Sequence, residues 1–527
     1  MGRNAAGESF LKGFLKHSAP AQNLWVYNDN EEEVENFSGL LRSFGRSEKV
    51  LQISKRKYGR LKEASLLYYP GPGLGQLARH RSYFGDNAWS LCGITHTTAS
   101  AASMDAIADV LVSRTREWDG LICPSTAVKR HVLNVIDAQK EYLGREIGAT
   151  KFTVPQMPVI PLGIHLDDFV FSDHVRDTSR QSLNIEKGAI VFLYVGRLSF
   201  HAKAHPLQMY KALELAAKNT SKNLVLIECG WFANDYIQQA FSNAAREICP
   251  SVKVINLDGR QPAEREKAWS SADIFCSLSD NIQETFGIVP LEGMAASLPV
   301  VVSDWNGYKD TVEDGVEGFR IPTIGPEPGL EGDLAYRHDL EIDTYDMYCG
   351  FSSSFVGVSN QSLTEAFSRL IEDRNLRLSM GAAGRHKIKT QYDWCHIIKS
   401  YEDFWDELGN LRDHNKKMTN QDHGAMKQLP PNRLDPTIAF SHYPTENLDL
   451  NTHLSLISSD KKSAIDMVNA YRELVLVNYV NELMPSPEMV SDLINNSSEN
   501  PVSVKEILNT IDPASRYPAQ RSLTWLI

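Results

Sequence analysis

The chain has 527 residues, 42% of them hydrophobic and 23% charged. That is an ordinary globular composition, too long for one core and long enough for about three domains of ~150 residues. Its formal net charge of −12 excludes a protein built chiefly to bind nucleic acid, whose surface must be basic.

The chain opens on MGRNAAGE, which reads as a Gly/Ala-containing loop, followed by a helix from Glu8 to His17. An α/β domain normally enters its sheet with a strand before such a loop, so the first strand of this domain is expected upstream of the sequence or lacking. Apolar β-rich runs follow at NLWVYN (23–28), KVLQIS (49–54), SLLYYP (65–70), AWSLCGITH (88–96) and GLICPS (120–125), with helical stretches between. Residues 1–165 are therefore expected to form a Rossmann-like domain. PGPGLGQLARHR (70–81) says only that a loop precedes a helix. KRKYGRLK (55–62) reads as a solvated face. Residues 1–165 carry 20 Lys and Arg against 16 Asp and Glu; this mildly basic front suits an anionic acceptor or a membrane surface, but a solvated face, with at most peripheral membrane contact, is expected.

MPVIPLGIHLDDF (157–169), marked by Pro and Gly, is the expected hinge. The runs AIVFLYVG (189–196), NLVLIECG (223–230), VKVINLDG (252–259), ADIFCSLS (272–279) and LPVVVSD (298–304) then alternate with helical patterns at 206–219 and 234–248. Such alternation predicts a parallel sheet covered on both faces, and a second Rossmann-like domain over 166–391. Its ligands should sit at the carboxyl ends of the strands. Residues 321–355 lack periodicity and read as a loop-rich insert. Helical patterns resume at 362–376 and 392–408. The helix 392–412 is expected to cross back to the first domain, followed by a linker (413–437) and a helical accessory domain (438–527). The closing RSLTWLI reads as an element cut short.

Seven scattered cysteines without a CxxC pair fit reduced, buried thiols. No run is long and apolar enough to span a bilayer, and the first residues lack the apolar core of a signal peptide, so a cytoplasmic location is expected. Nothing in the pattern fixes an oligomeric state.

The segment ETFGIVPLEGMAASLPVVVSD (284–304) carries the strongest chemistry. Pro290 is tolerated only in the first turn of a helix, which sets the helix start near Gly287 or Ile288. The free N–H groups of Gly287 and Ile288 then form an anion site suited to a diphosphate, and Gly287 lets a ligand approach the backbone. Glu284 and Glu292 can accept hydrogen bonds from the hydroxyls of a ribose and a hexose. Their separation of roughly 10 Å along the chain is too great for a retaining glycosidase pair but does not exclude an inverting one. Glu284 as a helix cap and Glu292 as a solvated acid are the plain structural alternatives. After the strand VFLYVG, Gly196 leads to Arg197 and Lys203, a fork and a point charge able to hold phosphate, or else a surface ion pair. His96 ends an apolar strand, where it faces a cleft or packs as a capping histidine.

These residues together resemble the retaining glycosyltransferases of family 4. Residues 157–315 are similar to that family in the Glu284-x7-Glu292 segment enclosing Phe286-Gly287, and in the hinge IPLGIHLDDF with Leu162 in place of the family's Asn. GRL (196–198) with Lys203 and SDWNGYKDTVEDGVEGF (303–319), where Asp310 replaces a Glu, complete the likeness. The resemblance implies the GT-B fold, with two Rossmann-like domains facing across a cleft. It implies transfer of a sugar, with retention, from a nucleotide-diphosphate sugar to the hydroxyl of an unknown acceptor. Glu292 would hold the ribose and Glu284 a sugar hydroxyl. Gly196, Phe286, Gly287 and Ile288 would line the donor site, Arg197 and Lys203 would face the diphosphate, and His96 would serve catalysis. No Asp-x-Asp motif occurs, so neither a metal nor another cofactor is implied. A nucleotide-sugar epimerase on the same fold, or a noncatalytic binding protein whose C-terminal unit does the work, remain alternatives.

Overall fold

The computed structural model describes residues 2–419 and 430–527; residues 420–429 of the linker read at 413–437 lie outside them. Two compact units result, Met1–Gln428 and Leu429–Ile527.

In the first unit, β1 (Asn23–Tyr27) pairs in parallel with β2 (Lys49–Ile53), while β3 (Leu66–Tyr69), β4 (Ser90–Ile94) and β5 (Gly120–Ile122) form a separate parallel group. Every residue of β4 is buried, as expected of a strand covered on both faces. The opening residues are not a loop: a helix runs from Gly2 to His17. That stretch contains no proline and no β-branched residue, and only Gly2, Gly7 and Gly13 weaken its helix propensity. Its Phe10 and Phe14 pack with Tyr68, Trp394, Tyr401 and Trp405, which supplies the tertiary reward that local propensity alone does not.

The sheet that follows has six strands: β6 (Ile190–Leu198), β7 (Leu224–Phe232), β8 (Lys253–Asp258), β9 (Ile274–Ser277), β10 (Val300–Ser303) and β11 (Gly318–Ile321). All neighbours are parallel and the order is β11-β10-β9-β6-β7-β8. One face buries Phe192, Leu213 and Phe367; the other buries Val191, Phe275 and Leu291. The order reverses between β6 and β9, which makes the crevice beyond their carboxyl ends the switch point where such sheets take ligands. β11 begins within the stretch SDWNGYKDTVEDGVEGF (303–319), where the sequence predicts no strand. Its pairing needs Gly318, where a Cβ would lie 1.7 Å from the Val300 carbonyl oxygen.

The insert at 321–355 is more ordered than its sequence suggests. It contains helices Gly332–Asp339 and Tyr345–Ser353, and Thr323–Ile324 pairs antiparallel with Gly357–Val358. A long helix, Trp394–Thr419, then returns to the first sheet. A Cβ on Gly120 would lie 2.5 Å from the Phe404 ring and 3.1 Å from Leu408, so the glycine sets how closely this helix approaches β5. At the hinge, Ile164 donates its N–H to the Tyr392 carbonyl at 2.8 Å and Trp394 donates back to Ile164 at 3.2 Å.

The second unit is mainly helical, with Pro487–Asn495, Val504–Asn509 and Arg516–Leu526 around Leu493, Val504, Ile507 and Leu523. Among the described residues no helix is long and apolar enough to cross a membrane. All seven cysteines are free thiols, six of them buried and Cys395 exposed.

Candidate active site

At the switch point, β6 delivers Gly196 and Arg197, and the segment after β9 delivers Gln283 through Ile288. Gly287 caps the helix Ile288–Ala295 with φ +78°. A side chain there is doubly excluded, because a Cβ would lie 1.9 Å from the Tyr308 ring. Tyr308 is fixed by a 2.9 Å hydrogen bond between its hydroxyl and Ser277 Oγ. No side chain caps this helix, so its first N–H groups stay available to an anion and Glu284 is not a capping acid.

Glu284, nearly buried, forms an ion pair with Lys203 Nζ, and its backbone carbonyl accepts a bond from Asn306 Nδ2. Arg197 Nη2 donates to Gln283 Oε1 at 2.7 Å and to the Ala202 carbonyl at 2.6 Å. Its Nη1 lies 3.6 Å from Asp346 Oδ2. Arg197, Lys203 and Glu284 are thus gathered in one place, the two cations already held by protein oxygens. Gly196 has φ +154°, and a Cβ there would stand 3.1 Å from the Tyr194 hydroxyl.

Glu292, on the helix, is partly buried, and burial pushes its carboxyl up to about 7 against the pull of Arg265. It is therefore not a solvated acid. Asp280, buried on the same segment, is likewise pushed up to about 7, and its Oδ1 has no hydrogen-bond partner.

One residue sits otherwise than the sequence suggests. Phe286 is 2% exposed and belongs to the core beneath the helix, so it supports the loop rather than lining the site. His96 lines a cavity beside the site, and its carbonyl accepts Thr285 Oγ1 at 2.6 Å. Sequence reasoning missed Gln283, Asn306 and Asp346. Asn306 had a signal in the turn pair Asn306-Gly307, whose asparagine takes φ +42°. Asp346 had none. Among the described residues no group of three or more His, Cys, Asp or Glu side chains converges as a metal site.

A parallel doubly wound sheet with its site at the switch point, facing a second α/β domain, defines a protein of the GT-B class. Residues 175–326 match the family model "Glycosyl transferases group 1", and the segment is a group 1 glycosyltransferase domain. The chain is 29% identical over 163 residues to a D-inositol 3-phosphate glycosyltransferase of Corynebacterium efficiens, covering 31% of this chain and 37% of that protein. It is 27% identical over 257 residues to the enzyme of the same name from Corynebacterium jeikeium, covering 48% and 60%. The chain thus spans less than two thirds of the length of these relatives, 37% of one and 60% of the other. The crystal structure of Anabaena Alr3699/HepE in complex with UDP superposes with a TM-score of 0.50 at 16% identity, covering 76% of this chain and 96% of that one.

Proposed function

We propose that this protein transfers a sugar from a nucleotide-diphosphate sugar to an acceptor hydroxyl, with retention and without a bound metal. The observation that carries the reading is the cluster at the switch point. Arg197, Lys203 and Glu284 stand beside a helix whose uncapped N-terminus begins at Gly287. The diphosphate would displace the protein oxygens from the two cations and take the N–H groups of Gly287 and Ile288. Those donors stabilise the charge that grows on the leaving oxygen as the glycosyl bond breaks. The acceptor enters on the face the diphosphate leaves, and the leaving oxygen takes its proton. Glu284, released from Lys203, would hold a sugar hydroxyl and Glu292 the ribose. The UDP bound in the similar Anabaena structure makes a UDP-sugar the first donor to try.

The test is incubation with radiolabelled UDP-, GDP- and ADP-sugars. Transfer or slow hydrolysis is expected with one of them, reduced on the order of 10²–10³-fold in Glu284→Ala. No donor binding by calorimetry overturns the reading. Asp280 and Glu292, poised near neutrality, suit proton transfer and so favour an epimerase as the second reading. Isomerised donor in the absence of any acceptor would establish that one instead.

A further inference from the structure

A cavity of about 230 Å³ lies at the carboxyl ends of β3 and β4, reached by Pro70 and His96. Its walls include Phe10, Tyr68, Ile94, Leu162 and Tyr401. Phe10 stacks obliquely on both Tyr68 and Tyr401, with ring centroids 5.1 Å apart in each case. The cavity touches the donor site at one point, since the His96 carbonyl holds Thr285, the residue after Glu284. No residue of the donor cluster lines it.

Its chemistry is lopsided. Besides backbone, the walls offer two tyrosine hydroxyls and the His96 ring. The Tyr401 hydroxyl, fully buried, faces Tyr68 without a well-formed hydrogen bond to any group. A polyol seated here would bury several hydroxyls against aromatic and aliphatic carbon, and each one left unpaired is costly. An apolar chain or single ring loses nothing polar and gains contact with Phe10, Ile94 and Leu162. Leu162 is also the position where the hinge departs from the family's asparagine, so the wall is apolar where a polar side chain was expected.

We infer that this cavity seats the apolar end of the acceptor, and that the acceptor is an aliphatic or aromatic alcohol rather than a free sugar or cyclic polyol. The inference rests on the glycosyltransferase reading above. The alcohol oxygen, at the His96 end, forms the new bond to the sugar's anomeric carbon as the bond from that carbon to the diphosphate oxygen breaks. The alcohol proton passes to the departing diphosphate, and no redox change occurs.

Gly7 gives access to the test. It lines the cavity from within the helix Gly2–His17, and a Cβ there meets open space. Gly7→Phe fills the cavity, Gly7→Ala is the control, and both favour the helix, so loss of folding is not expected. The full chain is assayed with its donor and a series from 1-butanol to 1-octanol, beside myo-inositol and methyl α-glucoside. Binding of 1-octanol without donor is measured by calorimetry. KM should fall about fourfold per methylene and 1-octanol should bind. Both effects should vanish in Gly7→Phe, persist in Gly7→Ala and weaken in Leu162→Asn, while donor hydrolysis is unchanged in all three. Donor hydrolysis with no dependence on chain length, better transfer to the polyols, or a dependence that survives Gly7→Phe overturns this assignment and leaves the proposed function standing. Absence of donor binding, with neither transfer nor hydrolysis, overturns the function, and 1-octanol binding then decides the cavity by itself.

Discussion

Glu284 and Glu292 are the same residue type on one segment, yet their surroundings set them apart. Glu284 has a cation against it; Glu292 has Arg265 only at longer range and is pushed up to about 7 by burial. The consequence for stability has a definite sign. In the unfolded chain Glu292 loses its proton near the usual 4.5, whereas the folded protein holds it to about 7. Glu292 therefore favours folding fully below the unfolded value, and that contribution is lost as pH rises from about 4.5 to about 7. Asp280 acts in the same direction through a window that opens lower, at 3.8. Thermal melts should show stability falling across this range, with Glu292→Gln removing part of the slope and Asp280→Asn most of the rest. Donor binding should run the opposite way. A ribose hydroxyl donating to Glu292 favours the ionised form, so donor affinity is expected to rise as pH climbs through about 7, by up to roughly tenfold per unit below it. Calorimetry in buffers of different ionisation enthalpy at pH 6.5 should register a released proton in the natural protein and none in Glu292→Gln.

At the scale of elements, the legible parts were those whose signal is local. The strand runs of the second sheet were clear because each is apolar, short and bounded by turns, and Pro290 marked the start of the helix Ile288–Ala295. β11 was not legible, because what makes it a strand is Gly318 fitting against Val300, a contact made at long range. The insert was illegible for the same reason. Its helix Tyr345–Ser353 is held by Asn281, whose Nδ2 donates to the His201 and Cys349 carbonyls at 3.0 and 3.3 Å. Gly350 completes the fit, since a Cβ there would meet His201 Cβ at 2.9 Å. This packing gives the insert a consequence for the site, because it brings Asp346 to Arg197. The pair is partly exposed and spaced at 3.6 Å, so its energy is small, ~0.2–1 kcal/mol. Asp346→Asn should free Arg197 for the diphosphate and tighten donor binding by up to about fivefold at low ionic strength. The advantage should shrink in 0.5 M salt, where screening weakens the competing pair as well. An unchanged or weaker donor affinity by calorimetry at low salt would show that Asp346 orients Arg197 instead of competing for it.

At the scale of the first unit, the contacts that join the two α/β domains across the cleft include polar, specific ones. Ser125 Oγ donates to the Thr285 carbonyl at 2.8 Å. The Asp310 carboxylate accepts from Thr126 N and Thr126 Oγ1, both at 2.6 Å. Ser125 and Thr126 begin the 22-residue helix Thr126–Ile147. Asp310 therefore reaches across the cleft to a helix N-terminus, where an anion is favoured by both free N–H groups and the helix dipole. At the hinge, buried Trp394 packs tightly between Gly13 and Gly163, where a Cβ would come within 2.7 Å and 2.4 Å of its ring, and its Nε1 donates to Ser9 Oγ at 2.9 Å. The cleft contact of Asp310 is a charged hydrogen-bonded one, of ~1.5–3 kcal/mol, and it ties the two domains together on the side away from the hinge. Asp310→Ala should shift the balance between closed and open forms by roughly ten- to a hundredfold toward open. Small-angle scattering should show a larger radius of gyration, and turnover should fall because closure excludes water and aligns the acceptor. Donor affinity should change little, since Arg197, Lys203 and Glu292 all lie on the second domain. Asp310→Asn keeps an acceptor for Thr126 but not the charge, and should fall between the two. If scattering and turnover are both unchanged in Asp310→Ala, closure is governed at the hinge, and Gly163→Ala becomes the substitution that should alter it.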